Sequence, residues 1–105
     1  MGLTRPFIES MKERAAKDPA FRVALLTEAA EGFLGGEADV AKTMLRDYVK
    51  ATMGFQALAA EVEKSPQSLM RMLSAKGNPT ANNLAALLAS LQRHEGLGLH
   101  VKAKR

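Results

Sequence analysis

Gln67 and Arg71 lie four residues apart in the segment SPQSLMRMLS, residues 65–74. On a helix that spacing sets two side chains one turn apart on one face. An amide and a guanidinium are the groups that read base edges best. Gln exchanges paired hydrogen bonds with N6 and N7 of adenine, and Arg forks onto O6 and N7 of guanine. A helical wheel with Leu69 at its origin puts Met72 at about 300° and Leu73 at about 40°, so the core lies on the Leu69 side. Gln67 then falls at about 160° and Arg71 at about 200°, both outward. Ser68 and Met70 sit on the flanks, where Met70 can meet a thymine methyl or pack against protein. Either polar residue is also at home on any solvated helix. The elements around them therefore decide what they can do.

Those elements read as helical almost throughout. Thr4 and Pro6 open a first helix that runs to about Lys17. Asp18-Pro19 supplies an N-cap and a first-turn proline for a second, and Gly35-Gly36 closes it. Its apolar residues Phe21, Leu25, Ala29 and Phe33, with Leu26, Ala30 and Leu34, fall on adjoining stripes. A third helix covers about Glu37–Lys50, with Val40, Met44, Leu45, Tyr48 and Val49 on one face. Beyond Met53-Gly54 the elements shorten: Phe55–Glu63, then a helix from Ser65-Pro66 to about Ser74. Thr80 caps the last, whose Leu84, Leu87, Leu88 and Leu91 form one stripe ending at Glu95-Gly96. The tail LGLHV alternates apolar and polar residues, which predicts a short strand over 97–102. A lone strand needs a partner, so a second copy or another chain is expected beside it. The expected fold is all-α, a single domain over 1–105. Helices fill 5–52, a helix-turn-helix core fills 53–95, and the strand closes the chain.

Two short helices joined by a few residues must cross steeply, which leaves one face of the second uncovered. Charge marks that region too. The 105 residues carry a formal charge of +4, with 15 Lys and Arg against 11 Asp and Glu. Residues 1–50 hold eight of each sign, so the whole excess lies in the second half. No Asp or Glu occurs between Lys64 and His94. Such clearance suits contact with a polyanion, since carboxylates repel phosphates.

The segment FQALAAEVEKSPQSLMRMLSAKGNPT resembles the helix-turn-helix of the Cro/repressor-like (XRE) group, through Leu58-Ala59, Val62, Ser65, Leu69, Arg71, Met72 and Asn78-Pro79-Thr80. With DPAFRVALLTEAAEGFLGGE, LRDYVKATMGFQALA and LQRHEGLGLHV, nearly the whole chain is similar to small HigA-like antidote proteins of bacterial toxin–antitoxin modules. The resemblance implies a double-stranded DNA operator, a homodimer, autoregulation, and a RelE/HigB-like toxin as partner. Base-facing positions of that group fall on Pro66, Gln67 and Arg71. Ser65 matches a phosphate contact, with Lys64 beside it, and Lys76, Asn78 and Thr80 fall where the group meets the backbone. Ser68 lies within the same DNA-binding set. Three departures stand out. Phe55 replaces the phosphate-binding Gln, with Gln56 next to it; Glu63 replaces the turn Gly; and Pro66 has no side-chain hydrogen bond to offer.

Other chemistries have little to work with. The chain has no Cys and only two His, His94 and His100, at a spacing unsuited to one metal site. Glu28/Glu31 and Glu61/Glu63 read as solvated helix faces, with no nucleophile or glycine loop beside them. No cofactor, metal or catalytic activity is expected, and no membrane span. Missing Cys and the absence of a leader-like N-terminus fit a cytoplasmic setting. The competing expectation is a protein–protein module that neutralises a toxin and binds DNA weakly or not at all.

Overall fold

A computed structural model describes residues 5–105, which form an all-α fold of six helices. These are α1 (Arg5–Lys17), α2 (Pro19–Leu34), α3 (Ala38–Ala51), α4 (Gly54–Val62), α5 (Pro66–Met72) and α6 (Ala81–Glu95). The expected Thr4 cap lies outside the described residues. The helix starts follow local chemistry. Asp18 accepts the Phe21 N–H at 3.2 Å, Ser65 Oγ accepts the Ser68 N–H at 3.0 Å, and Thr80 Oγ1 accepts the Asn83 N–H at 3.1 Å. Each cap satisfies one of the donors that a helix start leaves free. Gly96, left-handed at φ 76°, ends α6 with its own N–H and that of Leu97 turned back onto the last carbonyls.

One core runs through all but α1. Leu26 and Ala29 of α2 meet Leu45, Tyr48 and Val49 of α3, then Leu58 and Ala59 of α4, Leu69 and Leu73 around α5, and Leu87 and Leu91 of α6. α2 and α3 make the most extensive helix pair. Two apolar residues break the expected pattern. Leu34 is 68% exposed and Val40 is 52% exposed, because both stand at the end of the α2–α3 hairpin where no third element arrives among the described residues. Ser74 falls beyond α5, which stops two residues earlier than its pattern suggests.

The expected C-terminal strand is not there. Residues 97–105 form no ladder, because no other extended segment exists among the described residues to pair with them. The alternation still governs burial. Leu97 and Leu99 are half-buried, whereas Gly98 and His100 are exposed. The Leu99 N–H donates to Gln92 Oε1 at 2.7 Å, so the tail is strapped along α6 by one side chain. Val101 is 73% exposed.

An apolar groove of about 430 Å³ lies between α1, α2 and α3, walled by Phe7, Met11, Phe21, Leu25 and Met44. Asp47 sits in this wall with Oδ1 buried and without a hydrogen-bond partner among the described residues. Burial raises its pKa above 3.8, against the opposing pull of Arg46 and Lys50. A carboxyl whose pKa is raised by folding contributes fully below its unfolded value, and that contribution is lost as pH rises through the folded value. Asp47→Asn is therefore expected to raise the urea midpoint at pH 7. The gain should shrink towards zero as pH falls to about 4. An Asn variant no more stable than wild type at pH 7 would contradict this account of the groove.

Candidate nucleic-acid interface

α4 and α5 are joined by Glu63, Lys64 and Ser65 alone. Glu63 makes the turn in the left-handed region, φ 56° and ψ 47°. Few residues other than Gly adopt that conformation without cost. It is the position where the resemblance expects Gly, so the backbone geometry is retained while the residue is not. Lys64 and Ser65 follow, both exposed.

The outward face of α5 is as the wheel predicts. Leu69 is fully buried; Gln67, Met70 and Arg71 are exposed; Ser68 is half-buried. Lys76, Asn78 and Thr80 are exposed in the following loop. The residues expected to bind DNA thus lie on the turn, the helix and the loop, with seven of the eight exposed and Ser68 half-buried. Two of the hydroxyls already have structural work: Ser65 Oγ and Thr80 Oγ1 accept capping hydrogen bonds. Phe55 packs half-buried against the core, and Gln56 beside it is exposed, so of the two only Gln56 is available to a ligand.

Seven residues make a helix too short to hold itself. Its capping carbonyl is held from outside by Arg46 of α3, and the loop that follows it by Lys42. Lys42 is 5% exposed and donates from Nζ to the carbonyl of Gly77 at 2.7 Å and of Ala75 at 3.4 Å, with Asp39 Oδ1 at 3.4 Å. Arg46 Nη1 donates to the Leu73 carbonyl at 3.2 Å. Cations at a helix C-terminus satisfy its free carbonyls and complement its dipole. A pattern reading misses this clamp, although the wheel contains it. Lys42 falls within about 20° of Val49, on the buried stripe of α3. Gly77 completes the joint. A Cβ there would overlap the carbonyl oxygens of Arg71 and Met72.

Sequence reasoning also misses a polar knot beneath the bundle. Arg22 Nε donates to both Glu95 oxygens at 3.2 and 3.0 Å, and the guanidinium also reaches the Ala15 carbonyl. Tyr48, fully buried, donates its hydroxyl to Glu95 Oε1 at 2.6 Å. Burial, and then the Glu95 hydrogen bond, push the phenol well above its ordinary range, which keeps it a donor. Partners 47 and 73 residues apart leave no local signal. Glu61, expected to be merely solvated, accepts a hydrogen bond from Ser90 of α6.

Charge divides the molecule. From Val23 to Ala41 there are four acidic residues and no Lys or Arg; from Lys64 to Arg93 there are four basic residues and no Asp or Glu. The chain matches no family model, no curated protein and no solved structure. Any reading of this site therefore rests on its own geometry and charge. No described helix is long and apolar enough to cross a membrane.

Proposed function

We propose that this chain is a sequence-specific DNA-binding regulator of the helix-turn-helix kind, in which α5 enters the major groove. The observation that carries this reading is the exposed pairing of Gln67 and Arg71 within a stretch free of carboxylates. Gln67 and Arg71 read base edges. Lys64, Ser65, Ser68, Lys76, Asn78 and Thr80 flank them and position the helix on phosphates. One protomer offers few contacts, so a homodimer on two half-sites about 34 Å apart supplies the affinity. The resemblance adds the role: a cytoplasmic antidote that represses its own operon and neutralises a RelE/HigB-like toxin.

A gel-shift titration on the DNA upstream of its own reading frame tests the reading. Arg71→Ala should weaken binding by about 1–3 kcal/mol and relax base preference at one position, with folding unchanged. Equal binding by wild type and variant would remove Arg71 from the interface.

The unpaired tail gives a second test. Leu97 and Leu99 lean on α6 while their outer edge has no partner among the described residues. If two copies join there, deleting residues 97–105 should shift sedimentation towards monomer and weaken operator binding. A truncated protein that keeps its mass and melting temperature would make the tail a fray and move dimerisation elsewhere.

The protein–protein reading keeps one specific support. The α2–α3 end combines Glu28, Glu31, Glu37 and Asp39 with exposed Leu34 and Val40, which complements a basic partner. Glu63 in the turn opposes phosphate. Loss of toxin neutralisation on Leu34→Ser with DNA binding intact would separate the two surfaces.

A further inference from the structure

We propose that the concavity between α1, α3, α6 and the start of α4 binds a phosphate group, held by Lys12, Lys50 and His94. It is an open cavity of about 530 Å³ on the side of the molecule where α6 ends. α6 spans about 22 Å from the Thr80 cap, so this site is separate from the Lys76–Thr80 loop.

Its charge is unbalanced. The one carboxylate on its wall belongs to Glu95, whose side chain is 5% exposed. Both Glu95 oxygens are engaged by Arg22, and Oε1 also by Tyr48. That pair cancels itself. Lys12 from α1 and Lys50 from α3 remain, and among the described residues neither makes an ion-pair contact, although Asp47, outside the cavity, also attracts Lys50. His94 of α6 adds a ring nitrogen donor. Three helices far apart in sequence thus bring cationic or donor side chains to one hollow. Such charges repel one another until an anion fills the space. Ala15, Ala16, Ala51 and Gly54 keep the walls low, which leaves room for a tetrahedral group. A phosphate monoester, or two adjacent phosphodiester groups, balances two ammoniums, whereas a single carboxylate would leave one unmatched. The phosphate has two possible sources, a nucleic-acid backbone or a small phosphorylated metabolite.

Pyrophosphate titrated into the full chain at constant ionic strength tests the site without DNA. Saturable shifts of the Thr52, Gly54 and His94 amide resonances are expected, with a rise in melting temperature. Lys12→Gln and Lys50→Gln should each weaken binding about fivefold, the worth of one partly exposed ion pair. Lys76→Gln should leave it unchanged. Without anion, Lys12→Gln should melt at or above wild type, since it relieves repulsion; a lower melting temperature would overturn the unbalanced-charge argument. No saturable shift, or weak shifts equal in all variants, would mean an adventitious ion only and would overturn the proposal. A duplex oligonucleotide added to the pyrophosphate complex distinguishes the sources. Displacement assigns the site to a DNA backbone, and retention assigns it to a free phosphorylated ligand. Either result upholds the site, and neither depends on α5 reading bases.

Discussion

Arg22→Ala is expected to cost about 3 kcal/mol of folding stability, a large share of the margin of a domain this size. The reason is what the substitution leaves behind. Glu95 is almost fully enclosed, and Arg22 supplies its compensating charge through two hydrogen bonds. Removing one partner of such a pair strands the other in a poorly solvated place. The Ala15 carbonyl loses a donor as well, so α1 loosens together with α2 and α6. For about 100 residues the melting temperature should fall by on the order of 15 °C. Tyr48→Phe should cost only about 1 kcal/mol, since Glu95 keeps its cation. Replacing Arg22 and Glu95 together by Met and Leu should recover much of the loss, because no charge is then stranded. Thermal melts of these variants check the account. The double variant also strands the Tyr48 hydroxyl, so it is compared with the same pair carrying Tyr48→Phe; if that too is as unstable as Arg22→Ala, the packing of Arg22, and not the ion pair, matters.

Gly77→Ala is the second large effect, about 1–3 kcal/mol or more. The obstruction is backbone, the carbonyls of Arg71 and Met72, and not the end of a flexible side chain. The loop must move away from the end of α5, and the Gly77 carbonyl leaves Lys42 as it does so. A buried ammonium then loses its best acceptor. Gly36→Ala is the control. Gly36 has φ 79° but open space around it, so only backbone strain of about 1 kcal/mol applies. Denaturant melts should therefore rank Gly77→Ala well below Gly36→Ala. In a gel shift, Gly77→Ala should also weaken operator binding at temperatures where it is still folded. Equal melting curves for the two variants would show that the loop yields freely.

The parts of this fold that were legible in the sequence are those set by near neighbours. Asp18-Pro19, Ser65-Pro66 and Thr80 mark helix starts because a cap acts over three residues. The outward face of α5 follows from 3.6-residue periodicity around Leu69. What escaped depends on distant parts of the chain. Periodicity gives Val40 an apolar face but cannot show that the hairpin end meets nothing. Alternation over Leu97–Val101 gives an extended backbone but cannot supply the second strand that a ladder needs. Lys42, as a charged residue, carries no core signal, although its angular position is a core one and its acceptors lie 33 and 35 residues further on.

The grip of Arg46 on the end of α5, and of Lys42 on the loop after it, bears on how far this molecule is modular. The proposed reading unit, α4 to α6, has the look of a cassette that could be cut out and grafted elsewhere. Yet the carbonyls of Leu73, Ala75 and Gly77 are held by a helix outside that cassette. A fragment beginning at residue 53 would carry Gln67 and Arg71 without the anchor that sets the pitch of their helix. The smallest transplantable piece therefore starts at α3, and inheritance of the reading face by recombination would have to carry α3 along with it.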